Sequence, residues 1–179
     1  MRIAISSMEE FINPDKILSQ LSLKAGMTAA DFGSGSGGWV LPLAKRLEEG
    51  RVYAIDVLEE KISALRSKAQ LQKLSNIETI VDDVETKIES LSDESCDLVL
   101  MTNLLFECED KRGVMGEGKR VLRPGGRILI VDWIKDNPMT KEIEYVSFEE
   151  IKDIAKELGF KIEKEFSAGS YHYALILVK

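Results

Sequence analysis

Short apolar, β-rich runs alternate with helical patterns along most of this chain, and that alternation limits its fold more than any other feature. The runs at residues 27–32, 51–55, 77–81, 98–101 and 127–131 have strand length and composition, and helix-length segments separate most of them. Parallel strands need a crossover of a dozen or more residues, usually a helix, so this order predicts an open, mostly parallel α/β sheet.

Local signals set the expected boundaries. Asn13 can cap, and Pro14 suits the first position of, a short helix over residues 14–21. A helix running to about residue 48 carries Leu41, Leu43, Ala44 and Leu47 on its apolar stripe, and Gly50 reads as its terminator. A third helix is expected over 59–74. After a loop at 106–110, a helix running to Leu122 contains Gly113, Gly116 and Gly118, which predicts an irregular or frayed helix. Arg123-Pro124-Gly125-Gly126 reads as a turn that launches the fifth strand. Ser147 and Glu150 have capping-box spacing, which predicts a helix over 148–158 stopped by Gly159. Ser167-Ala168-Gly169-Ser170 joins the runs 160–166 and 171–178 too briefly for a crossover, so the sheet should end in an antiparallel hairpin.

At 179 residues and 44% apolar content, the chain suits one domain over 1–179, with residues 1–25 as an N-terminal helical segment. A formal charge of −7 disfavours nucleic acid as a partner, because phosphate neutralisation needs clustered Lys and Arg. No stretch approaches the roughly 20 apolar residues of a membrane span, so no membrane insertion and a cytoplasmic address are expected. Cys96 and Cys108 have no ligand-spaced His beside them, and neither a disulfide framework nor a metal site is expected.

The main chemical signal is Asp31-Phe32-Gly33-Ser34-Gly35-Ser36-Gly37-Gly38, between a strand and a helix. Bare glycines there let backbone approach a nucleotide-like ligand closely. Gly33, Gly35 and Gly38 also match the Gly-x-Gly-x-x-Gly spacing of a dinucleotide site, with Asp56 at about the distance of a ribose contact. Asp56 can accept both ribose hydroxyls with its two oxygens, and Asp83 can accept from an adenine amino group. Each carboxylate also has an ordinary reading, as a turn cap or a solvated strand end. Three of them, Asp31, Asp56 and Asp83, follow three successive strands and converge where open sheets bind ligands.

In its motif order, the segment from about residue 27 to the end resembles the class I S-adenosylmethionine-dependent methyltransferases. The resemblance rests on Asp31-x-Gly33-x-Gly35-x-Gly37, Asp56, Val81-Asp82-Asp83-Val84 and the run from Cys96 to Leu105. Its most specific piece is Lys119-Arg120-Val121-Leu122-Arg123-Pro124-Gly125-Gly126-Arg127. It implies a Rossmann-like seven-stranded sheet with helices on both faces, and S-adenosylmethionine as cofactor. It further implies that Asp31 and the backbone of Gly33, Ser34, Gly35 and Gly37 face the cofactor's methionine part. Val57 and Val84 would sandwich adenine, and Asn103 with Leu104 would close the floor.

Methyl transfer is an in-line displacement that positioning can drive without a covalent intermediate. If the acceptor must lose a proton, Glu107, Asp132 and His172 are the candidate bases, each with an ordinary structural reading as loop charge, strand-end cap or buried imidazole. Many small-molecule relatives have His-His after the fourth strand, where this chain has Phe106-Glu107. The Asn-Pro-Pro-Tyr signature of exocyclic-amine methylation is absent after Asn103, and two cysteines are too few for a thiol-rich arsenite site. A small-molecule acceptor is favoured by family resemblance. A homo-oligomer or a partner subunit completing the pocket stays open. A loop at residues 132–139 with Trp133 and Met139 could cover the pocket or simply pack on the surface. The rivals are an NAD-type dinucleotide-dependent oxidoreductase, using Gly33, Gly35, Gly38 and Asp56, and a non-catalytic cofactor-binding partner subunit.

Overall fold

The computed structural model describes residues 12–134 and 145–179. Helix α1 (Pro14–Leu18) is capped by Asn13, whose side chain accepts the Lys16 N–H at 3.1 Å. Strand β1 (Thr28–Phe32) leads through the glycine loop to α2 (Val40–Arg46), then β2 (Arg51–Asp56), α3 (Glu59–Leu71) and β3 (Ile77–Val81). Strand β4 (Cys96–Thr102), α4 (Lys111–Val121), β5 (Leu122–Trp133), α5 (Phe148–Glu157), β6 (Lys161–Ser167) and β7 (His172–Val178) complete the order. Residues 1–11 of the expected N-terminal segment, and residues 135–139 of the expected covering loop, lie outside the described residues.

The seven strands form one sheet in the order β3-β2-β1-β4-β5-β7-β6. Pairings from β3 to β5 are parallel, while β7 runs antiparallel to both β5 and β6, as the short link between β6 and β7 requires. Alternation along the strands sends side chains to two cores. Ala29, Leu98, Leu100 and Leu129 pack with α1 and α2 on one face, and Ala30, Val99, Met101 and Ile128 with α4 and α5 on the other. Burial on both faces is why these strands read as unbroken apolar runs. Because β4 lies beside β1 rather than β3, the strand order reverses at β1, and the carboxyl ends of β1, β2 and β4 flank that reversal.

Three local expectations need correction. Helix α2 starts only at Val40 and ends at Arg46, and Gly50 is not its cap. A Cβ on Gly50 would lie 1.9 Å from the Met27 carbonyl oxygen, so glycine is needed there for close chain passage. Helix α4 is continuous rather than frayed. Asp110 accepts the Gly113 N–H at 2.8 Å, and Gly118 lets the helix sit down on the sheet, where a Cβ would come within 2.6 Å of Met101 Cε. Arg123-Pro124-Gly125-Gly126 does not precede β5 but lies within it, as an irregularity. Cys96 faces Leu122 and Leu98 faces Arg127, so one intervening residue of β4 is set against four of β5. Gly125 (φ 77°) and an ion pair from Arg123 to Asp97 at 2.8 Å hold the excursion.

Candidate functional site

The glycine loop closes onto the end of β2 through a single carboxylate. Asp56 accepts the Gly35 N–H at 2.8 Å with one oxygen and the Leu58 N–H at 3.0 Å with the other, while Ser34 donates its N–H to the Ile55 carbonyl. Gly33, Gly35 and Gly37 have φ of 71°, 53° and 93°, in the left-handed region that favours glycine. A Cβ on Gly37 would stand 2.4 Å from Leu65 Cδ1, whereas Gly38 is exposed, has no positive φ, and would place a Cβ with nothing within 4 Å of it. The glycines this loop needs are therefore spaced two apart, not in the dinucleotide spacing that Gly38 would complete.

Beyond the loop lies a groove of about 250 Å³ walled by Gly33, Gly35, Asp56, Val57, Leu58, Lys61, Asp82, Val84, Asn103, Leu104 and Glu107. Seven of the expected cofactor residues thus share one wall. Asn103 follows β4 at φ 49°, unusual for a residue with a side chain, and its N–H is held by the Val131 carbonyl at 2.8 Å. Asp31, Ser34 and Gly37 are buried beside the groove rather than on its wall.

Asp83 does not reach the groove. It is exposed and accepts the Glu85 N–H at 2.9 Å, the turn-capping arrangement, while its neighbour Asp82 lies on the wall with its N–H on the Asp56 carbonyl. Sequence reasoning missed Asp82, Leu58 and Lys61. The doublet Asp82-Asp83 signalled a carboxylate, but only the pairing of Asp56 with Val81 across β2 and β3 decides which of the two stands beside Asp56.

The electrostatics are unusual at Asp31. It is 1% exposed, and neither carboxylate oxygen has a hydrogen-bond partner among the described residues. Burial, and then the charge of Asp56, push its pKa well above the usual carboxylate range. Ser34 Oγ and Asn103 Oδ1 are likewise buried without partners among the described residues. Buried polar groups are almost always hydrogen-bonded, so a cluster of exceptions needs a ligand, an ion or water to explain it.

The three candidate bases stand apart. Glu107 is exposed on the groove wall. Asp132 is fully buried, accepts the Trp133 N–H at 2.9 Å and the Phe106 N–H at 3.3 Å, and is raised to about 6 mainly by burial. His172 stacks on Trp133 with ring centroids 4.0 Å apart, and burial lowers its pKa to about 4. Neither Asp132 nor His172 lines the groove.

Among the described residues, no helix is long and apolar enough to cross a membrane. A family model described as "Methyltransferase domain" matches residues 23–170. The chain is 27% identical over 152 residues to a demethylmenaquinone methyltransferase of Shouchella clausii, covering 84% of this chain and 64% of that protein. It is 27% identical over 124 residues to an arsenite methyltransferase of Halobacterium salinarum, covering 69% of this chain and 31% of that protein. The chain thus spans less than two thirds of the length of either curated relative. Among solved structures, it resembles a SAM dependent methyltransferase from Aquifex aeolicus. The TM-score is 0.85 at 30% identity, over 93% of this chain and 89% of that one.

Proposed function

Because the chain belongs to the methyltransferase-domain family, we propose that it transfers a methyl group from S-adenosylmethionine to a small-molecule acceptor. One observation carries this reading. Buried, partnerless side-chain atoms of Asp31, Ser34 and Asn103 gather where the glycine loop and Asp56 open onto a groove. The donors and acceptors present fit that cofactor. Asp31 offers an uncompensated buried carboxylate to its ammonium, and the backbone of Gly33 to Gly37 admits its methionine part closely. Asp56, held by Gly35 and Leu58, retains lone pairs for ribose hydroxyls. Val57 and Val84 form the apolar walls for adenine, Asp82 takes the acceptor role expected of Asp83, and Asn103 with Leu104 forms the floor.

When bound, the cofactor supplies an electrophilic methyl whose transfer leaves a neutral thioether. The protein's part is to orient the acceptor in line with that methyl and to exclude water. Glu107, the candidate base on the groove wall, is the residue we assign to take a proton from the acceptor. Asp132 holds the Phe106 backbone next to it, and His172 is neutral at pH 7.

Two features bear on the acceptor. The described thiols are buried and pushed upward by burial, Cys108 to about 12, so neither is poised as a thiolate for metalloid chemistry. Two unpaired thiols also suit a reducing compartment, which supports a cytoplasmic address. The loop's glycine spacing disfavours the NAD reading, since Gly38 has no packing role.

Calorimetric titration with S-adenosylmethionine, S-adenosylhomocysteine and NAD, repeated on Asp56→Ala, tests the proposal. Binding of the first two that is lost in the variant is the expected result. Binding of NAD alone overturns the proposal. Turnover by the isolated chain separates an enzyme from a non-catalytic partner subunit.

A further inference from the structure

Among the described residues, six buried side-chain atoms have no hydrogen-bond partner, and the groove accounts for four of them. The other two belong to neighbouring residues at the start of β7, His172 Nε2 and the Tyr173 hydroxyl. Tyr173 is 7% exposed and lines a second cavity of about 540 Å³, at the ends of β5 and β6 and the beginnings of β7 and α5. That volume lies within the range of small-molecule sites.

The lining is unlike that of the groove. Trp133, Tyr145, Phe148, Phe166 and Tyr173 contribute rings, with Phe148 edge-on to Tyr173 at 5.1 Å between centroids and Trp133 backed by His172. Glu165 is the wall's charged residue, and Lys152 Nζ offsets it at 3.2 Å. Among the described residues, the wall therefore offers a ligand no net charge, several flat apolar surfaces and one unsatisfied hydroxyl.

Asp132 ties this cavity to the groove. Its two oxygens hold the N–H of Trp133, on the cavity wall, and that of Phe106, next to Glu107 on the groove wall. Asp132 also faces Tyr173 across the β5–β7 pairing.

We propose that this cavity is the acceptor site, and that the acceptor is a neutral, planar aromatic molecule with a hydrogen-bonding oxygen directed at the Tyr173 hydroxyl. The assignment of this ligand as acceptor rests on the methyl-transfer reading; its binding does not. Flat rings stack on aromatic walls, and a single oxygen satisfies the orphaned phenol. A charged ligand would have to leave water for a wall whose described charge, on Glu165, is already paired with Lys152, at a large desolvation cost.

The test is calorimetric titration with 2-naphthol, and separately with S-adenosylhomocysteine, of the wild type, Tyr173→Phe and Tyr145→Ala. Tyr173→Phe removes only a hydroxyl without a partner, so it folds. 2-Naphthol should bind the wild type, about fivefold more weakly after either substitution, while S-adenosylhomocysteine binds all three alike. Naphthalene-2-sulfonate should bind more weakly than 2-naphthol. Absence of 2-naphthol binding, equal binding by Tyr173→Phe, or preference for the sulfonate overturns the proposal and leaves the cofactor reading intact. If 2-naphthol binds but S-adenosylhomocysteine does not, the methyl-transfer reading fails and the acceptor assignment fails with it.

Discussion

Asp56 accepts the Gly35 N–H at 2.8 Å, which makes the carboxylate at the end of β2 the clasp of the glycine loop that follows β1. The same side chain holds the Leu58 N–H at the entry to α3. Asp56 thus shapes the groove before any ligand arrives. Asp56→Ala leaves two backbone donors without their acceptor, and should lower apoprotein stability by about 1–3 kcal/mol. Asp56→Asn keeps one acceptor oxygen and should cost less. Urea unfolding without ligand measures both; an Ala variant as stable as wild type would show that the clasp contributes nothing to the fold.

Asp31 should trade stability for binding. Its pKa is raised by burial and by the charge of Asp56, so the ionised form costs stability near neutral pH. Asp31→Asn, close in shape and uncharged, should stabilise the apoprotein by about 1–3 kcal/mol while weakening S-adenosylhomocysteine at least about tenfold. Thermal melts with and without ligand read both effects. A destabilised apoprotein would show that Asp31 already has a compensating cation.

Two glycines of α4 should respond oppositely to alanine. Gly116 has open space where a Cβ would stand, and Gly116→Ala should stabilise by about 0.5–1 kcal/mol through helix propensity and a less flexible unfolded chain. Gly118→Ala would push against Met101 Cε and Ile128 Cδ1, at 2.6 and 3.1 Å, and should destabilise by about 1–3 kcal/mol. Denaturant midpoints of the two variants decide this; equal midpoints would mean that the helix shifts freely on the sheet.

Asp132 and His172 should oppose each other in acid. Asp132 is raised from 3.8 to about 6, so its contribution to stability is fully present below pH 3.8 and is lost as pH rises through 6. His172 is lowered from 6.5 to about 4, so its contribution is present above pH 6.5 and is lost as pH falls through 4. Each shift corresponds to about 3 kcal/mol, and between pH 4 and 6 the two nearly cancel. Relative to wild type, Asp132→Asn should lose stability on acidification across that window, and His172→Phe should gain it. Unfolding free energies at pH 4.5 and 6.5 check the signs, and parallel curves for both variants would refute the pairing.

The order of strands and helices was legible because burial on both faces of a parallel sheet leaves unbroken apolar runs, as at Leu98-Val99-Leu100-Met101. Caps at Asn13 and Ser147 were legible because their hydrogen bonds span three residues. The glycines of α4 misled for the opposite reason. The value of Gly118 lies in its close approach to Met101 of β4 and Ile128 of β5, which no local propensity records. Arg123-Pro124-Gly125-Gly126 has the composition of a turn, and its place inside β5 comes from pairing on both sides, to β4 and, through Gly125 and Gly126, to Lys179 at the chain end.

By itself the sequence determined the α/β alternation, the glycine loop and the carboxylates at strand ends, because each is written in residues close together along the chain. Tertiary structure alone decided that Asp82 rather than Asp83 joins Asp56, that Gly37 rather than Gly38 is the tight glycine, and that Tyr173 lines a cavity of rings. Those outcomes depend on strand register and on side chains that meet only after long loops have closed, and a periodic pattern in one dimension does not specify either.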